Sequence, residues 1–347
     1  MSEKMIALVM VEYNHFEIQR IDIPIPDADE VLVKVKACAI CGSDIHGMDG
    51  GTGRRIPPIV MGHEASGIIV KTGEAVKSYK EGQRVTFDST VYCNKCKYCE
   101  SGDVNLCDDR RVLGVSCGDY RMNGAFAEYV AVKEYTIYPL PENVSYEQAA
   151  LVEPLSVAIH AIHRIVLNQD DSVAVIGAGS IGLMVISALK AMGLQTVISS
   201  DIDDNRLHRA MNFGATAVIN TSRRDGLTEV LSLTNGKGTD ASFEAVGLQD
   251  TVDLSVNCLR KGGKTVWIGN LAKTVQVPLQ EIVTRQLSLF GTCACAGEYV
   301  ESLKLISEGK VDAGALLSLK APLENGGEIF HRLRSGKENL MKVILTP

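Results

Sequence analysis

No apolar run in this 347-residue sequence approaches the ~20 residues that a membrane-spanning helix needs. Basic residues are not in excess either. Thirty-five Lys and Arg stand against 42 Asp and Glu, a formal net charge of -7, which argues against nucleic acid or an anionic membrane surface as a partner. There is no internal repeat and no low-complexity segment, and hydrophobic residues make up 46% of the chain, which excludes disorder. The opening stretch MSEKMIALVMVEYN has too short an apolar core for a secretory signal, with acids on both sides of it. It reads as a first β-strand, and the expected compartment is the cytoplasm.

Cysteine, by contrast, is plentiful. Ten cysteines in a reducing compartment point to metal binding or catalysis rather than disulfides. The length suggests two domains. Up to about residue 150 the chain reads mostly as strands. Residues 30–38, EVLVKVKAC, alternate with a period of two, and 67–71, 83–87 and 125–132 are further short strands between Gly, Pro and Asp turns. Pro154 suits the first turn of a helix running through LSVAIHAIHR. From 172 on, strands at 196–200, 216–220, 240–245, 264–269 and 287–291 alternate with helical stretches, although 270–286 shows no clear pattern. This alternation predicts an α/β fold with a doubly wound sheet of about six parallel strands. Beyond Glu298, EYVESLKLISEG reads as a helix and MKVILTP as a closing apolar strand.

The first strand of that second half is 173–176, VAVI, followed at once by Gly177, Gly179 and Gly182 and then by a run of helix formers. Such a strand–turn–helix suits a dinucleotide. One glycine makes the turn, one admits the pyrophosphate and one lets the helix approach the strand. The first-turn N–H groups, at Ser180 and Ile181, face the phosphates. A second apolar run, 196–199, leads to Asp201, an acid placed to bind the adenosine ribose hydroxyls and to repel a 2′-phosphate. Arg206, five residues on, weakens that repulsion. The expected cofactor is NAD.

Cys93, Cys96, Cys99 and Cys107 are spaced C-x2-C-x2-C-x7-C. Four thiolates this close can enclose one tetrahedral Zn²⁺ as a structural site. An iron–sulfur cluster is the competing reading. A second constellation combines Cys41, Ser43 and His46 with His63 and Glu64. Thiolate, imidazole and carboxylate with a fourth position left open would make a catalytic zinc site. Glu153 is a further carboxylate that could reach the metal or its water, and Ser43 and His46 could carry a proton to solvent. Arg54-Arg55 could bind a substrate phosphate, but reads better as a solvated loop.

These motifs carry a family likeness. With CGSDIH at 41–46, GHEASG at 62–67, the cysteine quartet, GAFAEY at 124–129, LVEPLSVAIHA at 151–161, VIGAGSIG at 175–182 and Asp201, the chain resembles the zinc-dependent medium-chain dehydrogenases over nearly its whole length. GHEASG and EPLSV are most similar to the polyol branch, the sorbitol and sugar-alcohol dehydrogenases. The resemblance implies a GroES-like β-rich catalytic domain over 1–153, rejoined by 293–347, and a Rossmann NAD-binding domain over 154–292, with the active site in the cleft. It implies two Zn²⁺ per chain, the catalytic one held by Cys41, His63 and Glu64 with Glu153 beside it. It also implies cofactor contacts from Gly247, Gly269 and Thr292, and a homodimer or homotetramer. Two departures stand out. Gly47 and Met48 follow His46 where sorbitol dehydrogenases carry aromatics, and Thr292-Cys-Ala-Cys-Ala-Gly stands where they carry an Arg-Tyr pair.

The expected activity is reversible NAD-linked oxidation of a secondary alcohol on a polyol, free or phosphorylated as in galactitol-1-phosphate dehydrogenase. The alternative within the enzyme class is an L-threonine 3-dehydrogenase-like oxidation of a 3-hydroxy amino acid. Outside it, an inactive NAD-binding sensor is disfavoured, since such a chain would be expected to lose at least one of Cys41, His63 and Glu64.

Overall fold

A β-hairpin of Lys4–Glu12 and His15–Asp22 opens the chain, bearing out the first-strand expectation. A computed structural model describes residues 3–347; Met1 and Ser2, which begin the first expected domain, lie outside the described residues. Contacts divide the chain into two units. One holds the chain up to Glu153 with Tyr299–Ser307 and Asp312–Pro347, the other Pro154–Glu298 with Glu308–Val311.

The first unit is built on a mixed sheet in the order Ile137–Pro139, Arg84–Phe87, Glu64–Thr72, Glu30–Ala39, Lys342–Thr346, Leu317–Pro322, with Tyr129–Lys133 also pairing with Glu30–Ala39. Strand Glu30–Ala39 is its axis. Glu64 pairs opposite Ala39 on one side, and Ile344 pairs opposite Ala39 on the other. Residues separated by nearly 300 positions thus meet around one strand end. The core beneath includes Phe126, Phe330 and Leu8, with Phe16 stacked on Phe330 at 4.6 Å between ring centroids. The strand expected over 125–132 forms ladder pairs only from Tyr129. Ala125 and Phe126 lie in a bend and donate instead to the carbonyls of Gly62 and Met61.

The second unit is a parallel six-stranded sheet. Counting from Ser172–Ile176 as first, its order is 3-2-1-4-5-6 through Ala217–Asn220, Thr196–Asp201, Ser172–Ile176, Thr239–Glu244, Leu259–Trp267 and Ser288–Gly291. This is the doubly wound arrangement, in which ligands bind at the carboxyl ends of the central strands where the order reverses. The fifth strand begins at Leu259 rather than 264. Thr239 pairs with Leu259 and Ala241 with Lys264, so the Gly262-Gly263 doublet bulges out of a strand that its glycines disguise as a turn. The segment 270–286 contains one short helix, Leu279–Thr284.

Candidate active site and metal centres

Cys41 lies two residues beyond strand Glu30–Ala39 and caps helix Gly42–Gly47. Ser43 N–H donates to Cys41 Sγ at 3.5 Å, and Cys41 N–H donates to Asp44 Oδ2 at 3.3 Å. His63 immediately precedes strand Glu64–Thr72. Gly62 before it has φ +96°, and a Cβ there would lie 2.8 Å from Cys38 Sγ, so only glycine delivers His63 to this spot. The fold brings one ligand atom each from Cys41, His63 and Glu64 within 4.8 Å of one another. The donor set fits zinc. Cys41 Sγ accepts a backbone N–H, and Asp44 Oδ1 stands 3.5 Å behind His63 Nδ1, where a carboxylate orients a ligating imidazole. Burial opposes charge on both groups. Even so, His63 and Arg55 hold Asp44 well below the usual carboxylate range, while Asp44 and Cys41 hold His63 well above the usual imidazole one.

Glu153 sits in the first turn of helix Val152–His163, partly buried. Burial first, and the Glu64 charge second, push its carboxyl up to about 7. Ser43 and His46 are exposed and lie three residues apart on helix Gly42–Gly47, hence on neighbouring positions of one face.

Two buried cations complete this neighbourhood, and the sequence reading missed both. Arg55 is not solvated: it is 4% exposed, and its Nε and Nη2 donate to Asp44 Oδ1 at 3.2 and 2.8 Å. Nη2 also donates to Ser43 Oγ at 3.4 Å. Only Arg54 of the pair is exposed. Lys342, inside the closing apolar strand, is 2% exposed, and its Nζ donates to both Glu64 carboxylate oxygens at 2.5 Å and to Ile40 O at 3.3 Å. The available signal was one lysine in the apolar run MKVILTP.

The four quartet cysteines also converge, one Sγ each within 4.8 Å of the others, and no disulfide joins them. Cys93 N–H donates to Cys107 Sγ at 3.3 Å, and Cys96 and Cys99 Sγ lie 3.5 Å apart. Backbone N–H groups of Asp108 and Cys99 bring the Cys96 thiol down to about 6, whereas burial pushes Cys107 up to about 12. A cation among them would let all four become thiolates together, and zinc fits that donor set.

At the carboxyl edge of the parallel sheet, Gly177 has φ +95°, and a Cβ on Gly182 would fall 1.8 Å from Gly177 O. The third glycine therefore packs helix Ser180–Ala191 against the turn, while Gly179 faces open space at the helix N-cap. No side chain caps that helix, so the first-turn N–H groups at Ser180 and Ile181 remain for a phosphate. Asp201 accepts from Ala178 N–H at 2.8 Å and Asp203 N–H at 3.0 Å, with Arg206 Nη1 3.8 Å away. It thereby ties the glycine turn to the end of the second strand. Gly247 and Gly269 lie against each other just past the fourth and fifth strands, and Glu244 Oε1 accepts from Gly247 N–H at 2.7 Å. Thr292 follows the sixth strand; its buried Oγ1 has no hydrogen-bond partner among the described residues, as a group awaiting a ligand would.

Residues 27–142 match the alcohol dehydrogenase GroES-like domain and residues 180–308 the zinc-binding dehydrogenase domain. The chain is 33% identical to sorbitol dehydrogenase of Bacillus subtilis (strain 168), across 99% of this chain and 98% of that one. It is also 33% identical to D-arabitol-phosphate dehydrogenase of Enterococcus avium, across 92% and 91%. An alcohol dehydrogenase from Escherichia coli CFT073, solved with NADH, superposes with a TM-score of 0.92 at 29% identity over 100% of both chains. The converged ligand sets, the 3-2-1-4-5-6 sheet and these full-length likenesses lead to one assignment: the chain belongs to the zinc-binding medium-chain dehydrogenases, in their polyol dehydrogenase branch.

Proposed function

We propose that the protein oxidises a secondary hydroxyl of a polyol reversibly to a ketone, with NAD as hydride acceptor, at a zinc site formed by Cys41, His63 and Glu64. The observation that carries this reading is the convergence of those three side chains. When bound, zinc supplies a Lewis acid that acidifies a hydroxyl, and NAD supplies the hydride acceptor. The chain's own groups do the rest. Glu153, with a pKa of about 7, can hold or release a proton at its carboxyl near neutral pH. Ser43 Oγ and the exposed His46 imidazole offer a proton route to solvent. We assign the quartet to structural zinc rather than an iron–sulfur cluster, in keeping with the family.

NAD is favoured over NADP by Asp201, whose buried carboxylate would meet a 2′-phosphate with like charge. An unphosphorylated polyol is favoured because, of the candidate phosphate-binding pair Arg54-Arg55, Arg55 is committed to Asp44 and only Arg54 is left exposed. We take the first unit as the catalytic domain and the second as the NAD-binding domain. A homodimer or homotetramer is supported by the edge strand Ser288–Gly291 and the nearby exposed Leu279 and Val283. Ten free cysteines suit the cytoplasm, and no helix among the described residues is long and apolar enough to cross a membrane. The test is NADH production across polyols, polyol phosphates and 3-hydroxy amino acids. The highest kcat/KM should fall on an unphosphorylated polyol; turnover confined to threonine-like substrates would overturn the substrate class.

A further inference from the structure

The Glu64 carboxylate lies where water cannot reach it: it is 1% exposed, beside the Cys41 thiol and the partly buried Glu153. Burying such a charge without a partner is costly. The partner is Lys342, which comes from the last strand and reaches both carboxylate oxygens while anchored on Ile40 O. Its position is fixed by backbone pairing, because Ile344 and Glu64 flank the same residue, Ala39, from opposite sides. Both side chains are almost wholly buried, so solvent does not screen the pair.

We propose that Lys342 is a resident cation that stands in for the metal, keeping the Cys41, His63 and Glu64 cluster folded before zinc arrives. A divalent ion and an ammonium neutralise the same carboxylate, so their stabilising effects overlap. Without Lys342 the cluster depends on the metal; with it, the ligand strands hold their register in the metal-free chain. Lys342 is here a positioning residue and does not enter the chemistry. The inference rests on the reading of this cluster as a zinc site.

The experiment compares the thermal midpoint of chelator-stripped protein with and without added Zn²⁺, for the parent chain, Lys342→Met, Lys342→Arg and the double variant Glu64→Gln/Lys342→Met. The quartet contributes to every arm alike. Lys342→Met should lower the metal-free midpoint by roughly 5–10 °C. Its rise on adding zinc should exceed the parent's by at least about half of that loss. Lys342→Arg should keep a parent-like response. The double variant, which has no buried charge to compensate, should recover most of the metal-free midpoint. Equal zinc-induced shifts in the parent and Lys342→Met would overturn the inference. So would failure of both Lys342→Met and the double variant to fold with zinc present, which would make the lysine a packing element. Zinc per chain in the untreated parent separates the two levels: one ion contradicts the site itself, whereas two ions with no Lys342→Met effect contradict only the role of the lysine.

Discussion

Asp44 Oδ1 meets both Arg55 and His63, so one buried carboxylate oxygen serves two side chains. Removing the cation leaves that carboxylate with His63 as its one remaining charged side-chain neighbour. Arg55→Met should therefore cost about 3 kcal/mol in urea unfolding, within the range for breaking a buried pair. Arg55→Lys should recover only part of it, because a lysine cannot reproduce the fork on Oδ1; an unchanged midpoint in Arg55→Met would remove Arg55 from the account. Ser43 makes a different contribution. Its backbone N–H supports Cys41 Sγ, while its hydroxyl accepts from Arg55 Nη2 and keeps its own proton to pass on, so Ser43→Ala keeps the first and deletes the second. Turnover should fall on the order of 10²-fold with zinc content and NADH affinity intact, and an unchanged rate at every pH would exclude the hydroxyl as a relay. Asp201→Ser should narrow the preference for NAD over NADP, measured as the ratio of kcat/KM values. Comparable efficiency with both cofactors in the parent chain would contradict the role given to Asp201.

At the scale of elements, the quartet segment has little else to hold it. Between Cys93 and Cys107 the described structure contains only the four-residue helix Lys97–Glu100 and the single turn Val104–Leu106. Cys107→Ser should then lower the thermal midpoint and halve the zinc content; a variant with full zinc and an unchanged midpoint would sink the structural assignment. Alternation in 30–38 and the run VAVIGAGSIG were legible because local periodicity and glycine spacing are local properties. The bulged start of Leu259–Trp267 was not, because Gly262-Gly263 carries the signature of a turn and only pairing with Thr239–Glu244 makes it part of a strand. Ligand types at Cys41, His63 and Glu64 could be read from motif spacing and family likeness. Arg55 and Lys342 could not, since their burial depends on Asp44 and Glu64, which lie 11 and 278 positions away.

For the whole molecule, five of the ten cysteines fall in the two candidate ligand clusters, and no disulfide is present among the described residues. The two sites should hold zinc with different firmness. Four thiolates would enclose a quartet ion, whereas the trio would supply one thiolate, one imidazole and one carboxylate and leave a position for substrate, through which a chelator could enter. The most direct measurement follows zinc per chain, NADH production and the far-ultraviolet circular dichroism spectrum together during mild dialysis against a chelator. The account predicts two ions at the start. Activity should be lost with the first ion while the spectrum barely changes, and turnover should return on adding Zn²⁺. Loss of both ions in step with unfolding, or full activity with only the quartet filled, would contradict it.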